Sequence, residues 1–472
     1  MRSATQVVAV PLRSKRLRLW TIRDDRTIWS RCEGQPRYYK PWEPETECWN
    51  PEKPVFAAVC GAAASLPDAS VRFWASDTDG AIWSCRETGP NPEDPWTPWS
   101  ADWARSAPPF TATRIAAAQL SDGRLQFWAV DETGTIWSCW MRDRALGSEW
   151  TRWTDRWTPR RPSFRARDVA SAPLPDGRLR FWAVDETGRI RSCAKSTRRS
   201  TARWTPWADD WAPRAPFRAV TMAAASLADK RLQVWAVGED GRIWSAEQTS
   251  PTGSSWGAWS RDWATAEPPF QATSVAIAPM IDKRLQFWAV DEDGNVWNCW
   301  QMDVSPRAKW SIFGLFFAMQ SQQQTFWCWA ATAASLSRYY DPASAWKQCD
   351  VACEVFHNRS CCENGRSSGC NQTAFLKPVL DLTENFAGSA GGAATQAQLL
   401  AEFREGRPVA ARMYSPSKGG HFVVVCGCGA DLVMVKDPWD GPTCIPYDVF
   451  CKQYLGTHGW HTTFFTKPQG GP

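Results

Sequence analysis

Residues 115–157 read I-A-A-A-Q-L-S-D-G-R-L-Q-F-W-A-V-D-E-T-G-T-I-W-S-C-W-M-R-D-R-A-L-G-S-E-W-T-R-W-T-D-R-W. Short apolar or alternating runs are separated by Asp-Gly and Thr-Gly turn signals, the pattern of antiparallel strands joined by tight turns. The F/L/V-W-A/T motif at the centre recurs at Trp20, Trp74, Trp128, Trp182, Trp235 and Trp288, with separations of 54, 54, 54, 53 and 53 residues. Such a period means tandem repetition. Each copy predicts about four antiparallel strands, and the Ala-rich runs Ile115–Ala118 and Met222–Ala225 suit an inner strand crowded round a central axis. Six copies fill roughly residues 5–318. Arranged radially they form a six-bladed β-propeller, which removes the exposed edges of an open sheet. A β-solenoid is the alternative, but its coils are usually far shorter than these units.

Composition agrees with a division. A chain of 472 residues exceeds one ordinary core. Of its 33 Trp, 28 precede residue 311 and five follow it, so two sequence grammars are present. The net charge of +5, from 54 basic and 49 acidic residues, gives no electrostatic case for nucleic acid. The cluster Arg156, Arg160, Arg161, Arg165 and Arg167 reads as a solvated edge. The N-terminal residues lack a secretory signal pattern, and no stretch approaches the roughly 18 apolar residues of a membrane span. Cys85, Cys139, Cys193 and Cys299 occupy equivalent repeat positions, so they should lie in separate blades as small buried hydrophobes. Ten of the 17 Cys crowd into the last third, which leans toward an oxidising compartment and a secreted or extracellular protein.

The repeated D-x-x-G-x-I-W-S signature resembles that of tachylectin-like and fucose-binding-lectin-like propellers. Four positions before the marker Trp stand Arg124, Arg178, Arg231 and Arg284; four after it stand Glu132, Glu186, Glu239 and Glu292. The first copy has Arg16 and Asp24, and the second breaks the pattern with Ser70 and Thr78. The resemblance implies glycan binding by such Arg and Glu residues, with Trp137, Trp244 and Trp297 as aromatic platforms. The competing reading is that these Trp pack blade on blade, the charges are surface pairs flanking turns, and the propeller binds protein.

From about Met319 the sequence becomes M-Q-S-Q-Q-Q-T-F-W-C-W-A-A-T-A-A-S-L-S-R-Y-Y. The Ala-rich, glycine-free segment after Cys328 predicts a helix with the thiol at its N-terminus, where the macrodipole favours an anion. Gln322, six residues earlier, is a candidate oxyanion donor beside the Cys328 backbone amide. Gln320, Gln323 and Gln324 are close competitors for that role. Thr395 predicts an N-cap, Gly406 a helix stop, and a strand begins near Pro408. G-G-H-F-V-V-V places His421 at a strand start, 93 residues after Cys328, and L-V-M-V-K-D-P-W-D-G ends a strand at Asp437, 16 further on. A helix-borne thiol facing strand-borne imidazole and carboxylate is what a thiolate–imidazolium pair with an orienting acid requires. His357, His458 and His461 lack that strand context.

These motifs look like the papain-like cysteine peptidases, particularly the bacterial branch of effector proteases and bacteriocin-leader peptidases. The resemblance implies Cys328 as nucleophile, His421 as general base and acid, Asp437 as orienting carboxylate and Gln322 as oxyanion donor. The expected architecture is therefore multidomain: an all-β six-bladed propeller over residues 1–318 and an α+β papain-like domain over 319–472. A peptide or protein substrate is expected, and no cofactor. Cys349, Cys353, Cys361, Cys362, Cys370 and His357 do not have the spacing of common zinc sites, so disulfides are expected and no metal. Two alternatives stay open: a lectin-like binding protein with an inactive peptidase-like domain, and a deamidase or transglutaminase using the same triad.

Overall fold

The computed structural model describes residues 3–14, 16–34, 42–43, 45–89, 94–145, 147–174, 176–199 and 202–470. The N-terminal part is a six-bladed β-propeller: six antiparallel meanders, from Ala4–Pro11, Leu17–Arg23 and Ile28–Cys32 to Ala272–Pro279, Leu285–Asp291 and Val296–Trp300. The expected four full strands per blade reduce to three. Among the described residues, the outer fourth of the first five blades is a pair of isolated bridges, such as Ser138 with Thr154 and Met141 with Trp150, and only the sixth blade forms a short strand there, Gly314–Leu315. The Trp-rich outer segments explain the difference: they follow the blade as bulky plugs and touch the ladder at few points.

Two repeated devices hold the ring. In each turn between the second and third strands one residue has a left-handed backbone, Arg26 in the first blade and Gly80, Gly134, Gly188, Gly241 and Gly294 in the others. Its carbonyl accepts the backbone N–H of an Ala opening the first strand of the next blade. The sixth-blade Gly294 closes the circle by accepting from Ala4 at 3.0 Å. The marker Trp, fully buried in all six blades, reaches the neighbouring blade: Trp128 lies 4.7 Å from Phe181 and 5.9 Å from Trp204, and Trp288 lies 5.9 Å from Trp42 of the first blade. Burying such rings brings the largest apolar gain a side chain can supply. Cys85, Cys139, Cys193 and Cys299 are buried and unpaired, one per blade.

The C-terminal part has helices α1 (Cys328–Tyr340), α2 (Gln348–Phe356), α3 (Leu376–Leu382), α4 (Gln396–Arg404) and α5 (Tyr447–Gln453). They surround a six-stranded antiparallel sheet, in spatial order Phe386–Gly391, Gly459–Thr466, Val409–Ser415, Gly419–Gly429, Leu432–Asp437 and Gly441–Pro446. Thr395 caps α4 as expected, its hydroxyl accepting from the Gln398 amide and the Gln398 side chain accepting from the Thr395 amide. Among the described residues no helix is long and apolar enough to cross a membrane.

The two parts share one core. Apolar packing runs without a break from Trp235, Phe287 and Phe313 of the last blades to Trp329, Val424 and Met434. The short strand Gly314–Leu315 lies against the strand Gly419–Gly429, and two glycines permit the approach. A Cβ on Gly427 would stand 2.5 Å from the Phe313 carbonyl oxygen, and one on Gly314 would stand 2.5 Å from the Met434 sulfur. Arg404 at the end of α4 donates to the Pro269 carbonyl at 3.2 Å. Because the carbonyl facing Gly427 is backbone and cannot rotate away, Gly427→Ala is expected to destabilise the chain by about 1–3 kcal/mol. Urea unfolding followed by Trp fluorescence measures this.

Candidate active site

Cys328 is the first residue of α1, preceded by Trp327, which makes no side-chain capping bond to the helix. The first backbone N–H groups of α1 therefore have no side-chain cap. The approach segment is fixed from several directions. Trp327 Nε1 donates to the Cys370 carbonyl at 2.8 Å, Trp329 Nε1 donates to the Gln372 carbonyl at 3.0 Å, and the Phe326 amide donates to Asn371 Oδ1 at 3.0 Å. The Cys-rich insertion thus clamps the start of α1. Within it Cys349 pairs with Cys362 and Cys361 with Cys370, while Cys353 is free.

His421 stands near the start of the strand Gly419–Gly429, and Asp437 is the last residue of the neighbouring strand Leu432–Asp437. His421 Nε2 lies 2.9 Å from each Asp437 carboxylate oxygen. With Nε2 so engaged, Nδ1 is the ring nitrogen left for Cys328, which is among the groups that favour the charged imidazole. Burial opposes charge on His421, but hydrogen bonds with Asp437 and Cys328 overcome it and raise its pKa to about 10. Asp437 is wholly enclosed. Burial pushes its carboxyl up, yet the hydrogen bond and charge of His421, with further bonds from Tyr454 and the Trp439 amide, hold it below the ordinary value.

Those further donors are not among the expected site residues. Tyr454, just after α5, donates its hydroxyl to Asp437 Oδ2 at 2.6 Å, and the Trp439 and Asp440 amides donate to Oδ1 at 2.7 and 3.1 Å. The amides follow from the D-P-W-D-G turn, whose Asp-first form is a local signal. Tyr454 has none, because only the packing of α5 brings it there.

Gln322 is anchored next to this turn, its amide donating to the Pro438 carbonyl at 2.9 Å. Its carboxamide departs from expectation. Nε2 donates to the carbonyls of Gln324 and Thr325 at 2.9 and 2.8 Å, so both hydrogens are committed within its own loop, and Oε1 is buried without a partner among the described residues. The neighbouring glutamines face elsewhere: Gln320 and Gln323 bond to Gln348 of α2, and Gln324 lies against Gly365. His357 ends α2, His461 is exposed, and His458 is buried close enough to His421 for its pKa to be lowered, by burial first and by that neighbour second.

On the propeller the proposed sugar-binding sets do not converge. Arg and Glu flank one extended strand at eight residues' separation, so Arg124 and Glu132 stand roughly 26 Å apart along it. Arg124, Arg178, Arg231 and Arg284 are pinned to Asp122, Asp176, Asp229 and Asp282 of their own turns. Glu132 and Glu186 accept the amides of Thr111 and Arg165, while Glu239 faces Arg167 at 3.9 Å. Glu292 lines a charged cleft with Arg404. Trp297 is fully buried; Trp137 and Trp244 are half-buried, with one face stacked on Phe110 and Phe217 respectively, and Arg261 lies over Trp244. The signature Asp of these turns accounts for much of the motif: Asp131 Oδ1 accepts the turn amides of Thr133 and Thr135, and Oδ2 accepts the Trp137 indole.

A thiol at a helix start, opposed by an imidazole that a buried carboxylate orients, is an arrangement that cysteine peptidases, which are hydrolases, use. Residues 290–454 match the model of a family described as papain-like cysteine protease AvrRpt2, and this part of the chain is a papain-like cysteine peptidase. The match begins on the middle strand of the sixth blade. No curated protein matches the chain. Among solved structures it is similar to the BP39L lectin from Burkholderia pseudomallei, at 17% identity over 64% of this chain and 82% of that one, TM-score 0.47. The fucose-specific lectin from Aleuria aurantia is 13% identical over 66% and 96%, TM-score 0.46. AofleA from Arthrobotrys oligospora is 11% identical over 65% and 85%, TM-score 0.46.

Two outcomes are expected. Tyr454→Phe removes a buried bond to a carboxylate and should cost about 1.5–3 kcal/mol, read by urea unfolding. Because the folded pKa of His421 lies above its ordinary 6.5, its stabilisation is complete below pH 6.5 and is lost as pH rises toward about 10. Unfolding free energy should therefore fall across that window, and fall less in Asp437→Asn.

Proposed function

We propose that the chain is a cysteine endopeptidase acting through Cys328, His421 and Asp437, carried to its target by the propeller. The observation behind this reading is the hydrogen bonding of His421 to an enclosed Asp437, with Cys328 at the start of α1 acting on the same imidazole, within the span that matches the peptidase family. The Cys328 sulfur, its proton held by His421 Nδ1, attacks the peptide carbonyl carbon, and the carbonyl electron pair moves to oxygen. The Cys328 backbone amide at the uncapped helix start donates to that oxyanion. Gln322 becomes the second donor by releasing one of its loop carbonyls. His421 gives its proton to the departing amine as the thioester forms, then takes one from water, whose oxygen attacks the thioester and frees Cys328. Asp437 holds the ring with Nε2 turned away from the sulfur throughout.

The division follows the change of grammar, with residues 1–318 as propeller and 319–472 as peptidase domain, although the short strand Gly314–Leu315 serves both cores. The propeller's ligand is a glycan or a protein surface. Trp137, with one face on Phe110 and Glu132 at the same end of the blade, offers the aromatic and carboxylate that a sugar requires. The paired cysteines of the insertion fit an oxidising, extracellular setting.

Iodoacetamide should alkylate Cys328, and Cys328→Ala should abolish proteolysis while leaving propeller binding on a glycan array unchanged. Mass spectrometry of a treated proteome should show new peptide termini. A Gln-to-Glu mass gain without new termini would instead mean deamidation, and a folded chain giving neither product would mark the domain as an inactive binding partner.

A further inference from the structure

A cavity of about 320 Å³ lies between the sixth and first blades and the back of the peptidase sheet. Lys436 and Asp437 end the same strand, and alternation along it sends Asp437 to His421 and Lys436 the other way, into this cavity. Lys436 is only 9% exposed. Its ammonium lies 5.4 Å from the centre of the Trp300 ring and has neither a hydrogen-bond acceptor nor a carboxylate among the described residues. A buried cation without a counter-charge is expensive, and here burial pulls its pKa down.

The opposite wall carries a second, independent orphan. Asn298 is 1% exposed, lines the cavity, and its Oδ1 has no partner among the described residues. The repeat itself supplies the comparison, because the other five blades have Ser at this place: Ser30, Ser84, Ser138, Ser192 and Ser245. In the third and fifth blades that hydroxyl accepts from a glutamine two positions before the marker Trp, Gln126 at 2.9 Å and Gln233 at 2.8 Å. The sixth blade keeps the glutamine, Gln286, and changes the Ser to Asn, leaving both carboxamides facing the cavity without a side-chain bond among the described residues. The departure from the repeat falls where the peptidase domain docks. The other charged groups of the lining are already engaged: Arg284 is paired with Asp282 at 2.6 Å, Glu33 accepts the Leu17 amide at 3.1 Å, and Asp437 is held by His421 and Tyr454.

We propose that this cavity is a binding site for a small hydroxycarboxylate, its carboxylate on Lys436, its hydroxyls on Asn298 and Gln286, and its carbon face on Trp300 and Met319. The unsatisfied Asn298 oxygen calls for a ligand that donates hydrogen bonds, of which a sugar acid offers several and the inorganic phosphate dianion a single O–H, and the single ammonium matches one negative charge rather than two. Bound there, the ligand bridges propeller and peptidase immediately behind the carboxylate that orients His421.

Calorimetry and thermal unfolding of the full chain with D-glucuronate and D-gluconate test this. Saturable binding that raises the melting temperature is expected, with at least about thirtyfold weaker binding in Lys436→Met. Asn298→Ser restores the residue of the other five blades, so it should fold and bind more weakly. Without ligand, Lys436→Met should be more stable than the parent, since it removes an unpaired buried charge. The proposal is overturned by absence of saturable binding of both sugars, by unchanged affinity in Lys436→Met, by inorganic phosphate binding more tightly than either, or by ligand-free Lys436→Met proving less stable than the parent.

Discussion

The bond between the Ala4 amide and the Gly294 carbonyl is one of six equivalents, and it is the one that makes a ring of what would otherwise be a stack of small sheets with two open ends. Three-stranded meanders bury little on their own. Each becomes stable by receiving the marker Trp of its neighbour, and the sixth has a recipient only because the first blade returns to it, with Trp42 against Trp288. Closure therefore comes before everything downstream. It fixes the sixth blade, which carries the short strand Gly314–Leu315, and that strand supplies the backbone against which the peptidase sheet sets Gly427.

The candidate site inherits this rigidity through secondary structure. Cys328 is placed by a helix whose start is clamped by the Cys-rich insertion, and His421 and Asp437 by adjacent strands of one sheet. Asp437 receives four donors, His421, Tyr454 and the amides of Trp439 and Asp440, so its orientation is overdetermined. An acid held from several sides keeps the imidazole fixed without itself needing to change protonation.

What was legible in the sequence was what is local. The marker Trp period, the Asp and Gly of the turns, the Thr395 cap and the placement of Cys328, His421 and Asp437 at element ends all follow from spacing over a few residues. Tyr454 was not legible, because its partner lies on another element. The Arg and Glu sets were legible as a repeat, but their distance was not: four residues either side of Trp128 put Arg124 and Glu132 at opposite ends of one extended strand. Gln322 shows a third case, in which the residue read as an oxyanion donor stands beside the Asp437 turn while its side chain follows nearby carbonyls that no motif encodes. The placement of Lys436 and Asn298 on one cavity needs both folds at once.

The continuous core from Trp235 to Met434 leaves no tether between the two parts. In a tandem protein joined by a flexible linker, holding a target with one module raises the effective concentration of its surroundings for the other over a broad volume. With the linker reduced to nothing, that advantage narrows to a single bearing. On the proposed function, peptide bonds lying at the right offset from the surface the propeller holds meet the thiol at high effective concentration, and those elsewhere on the same target gain nothing from the attachment. Selectivity then becomes a matter of geometry between two fixed points as much as of the residues flanking the scissile bond.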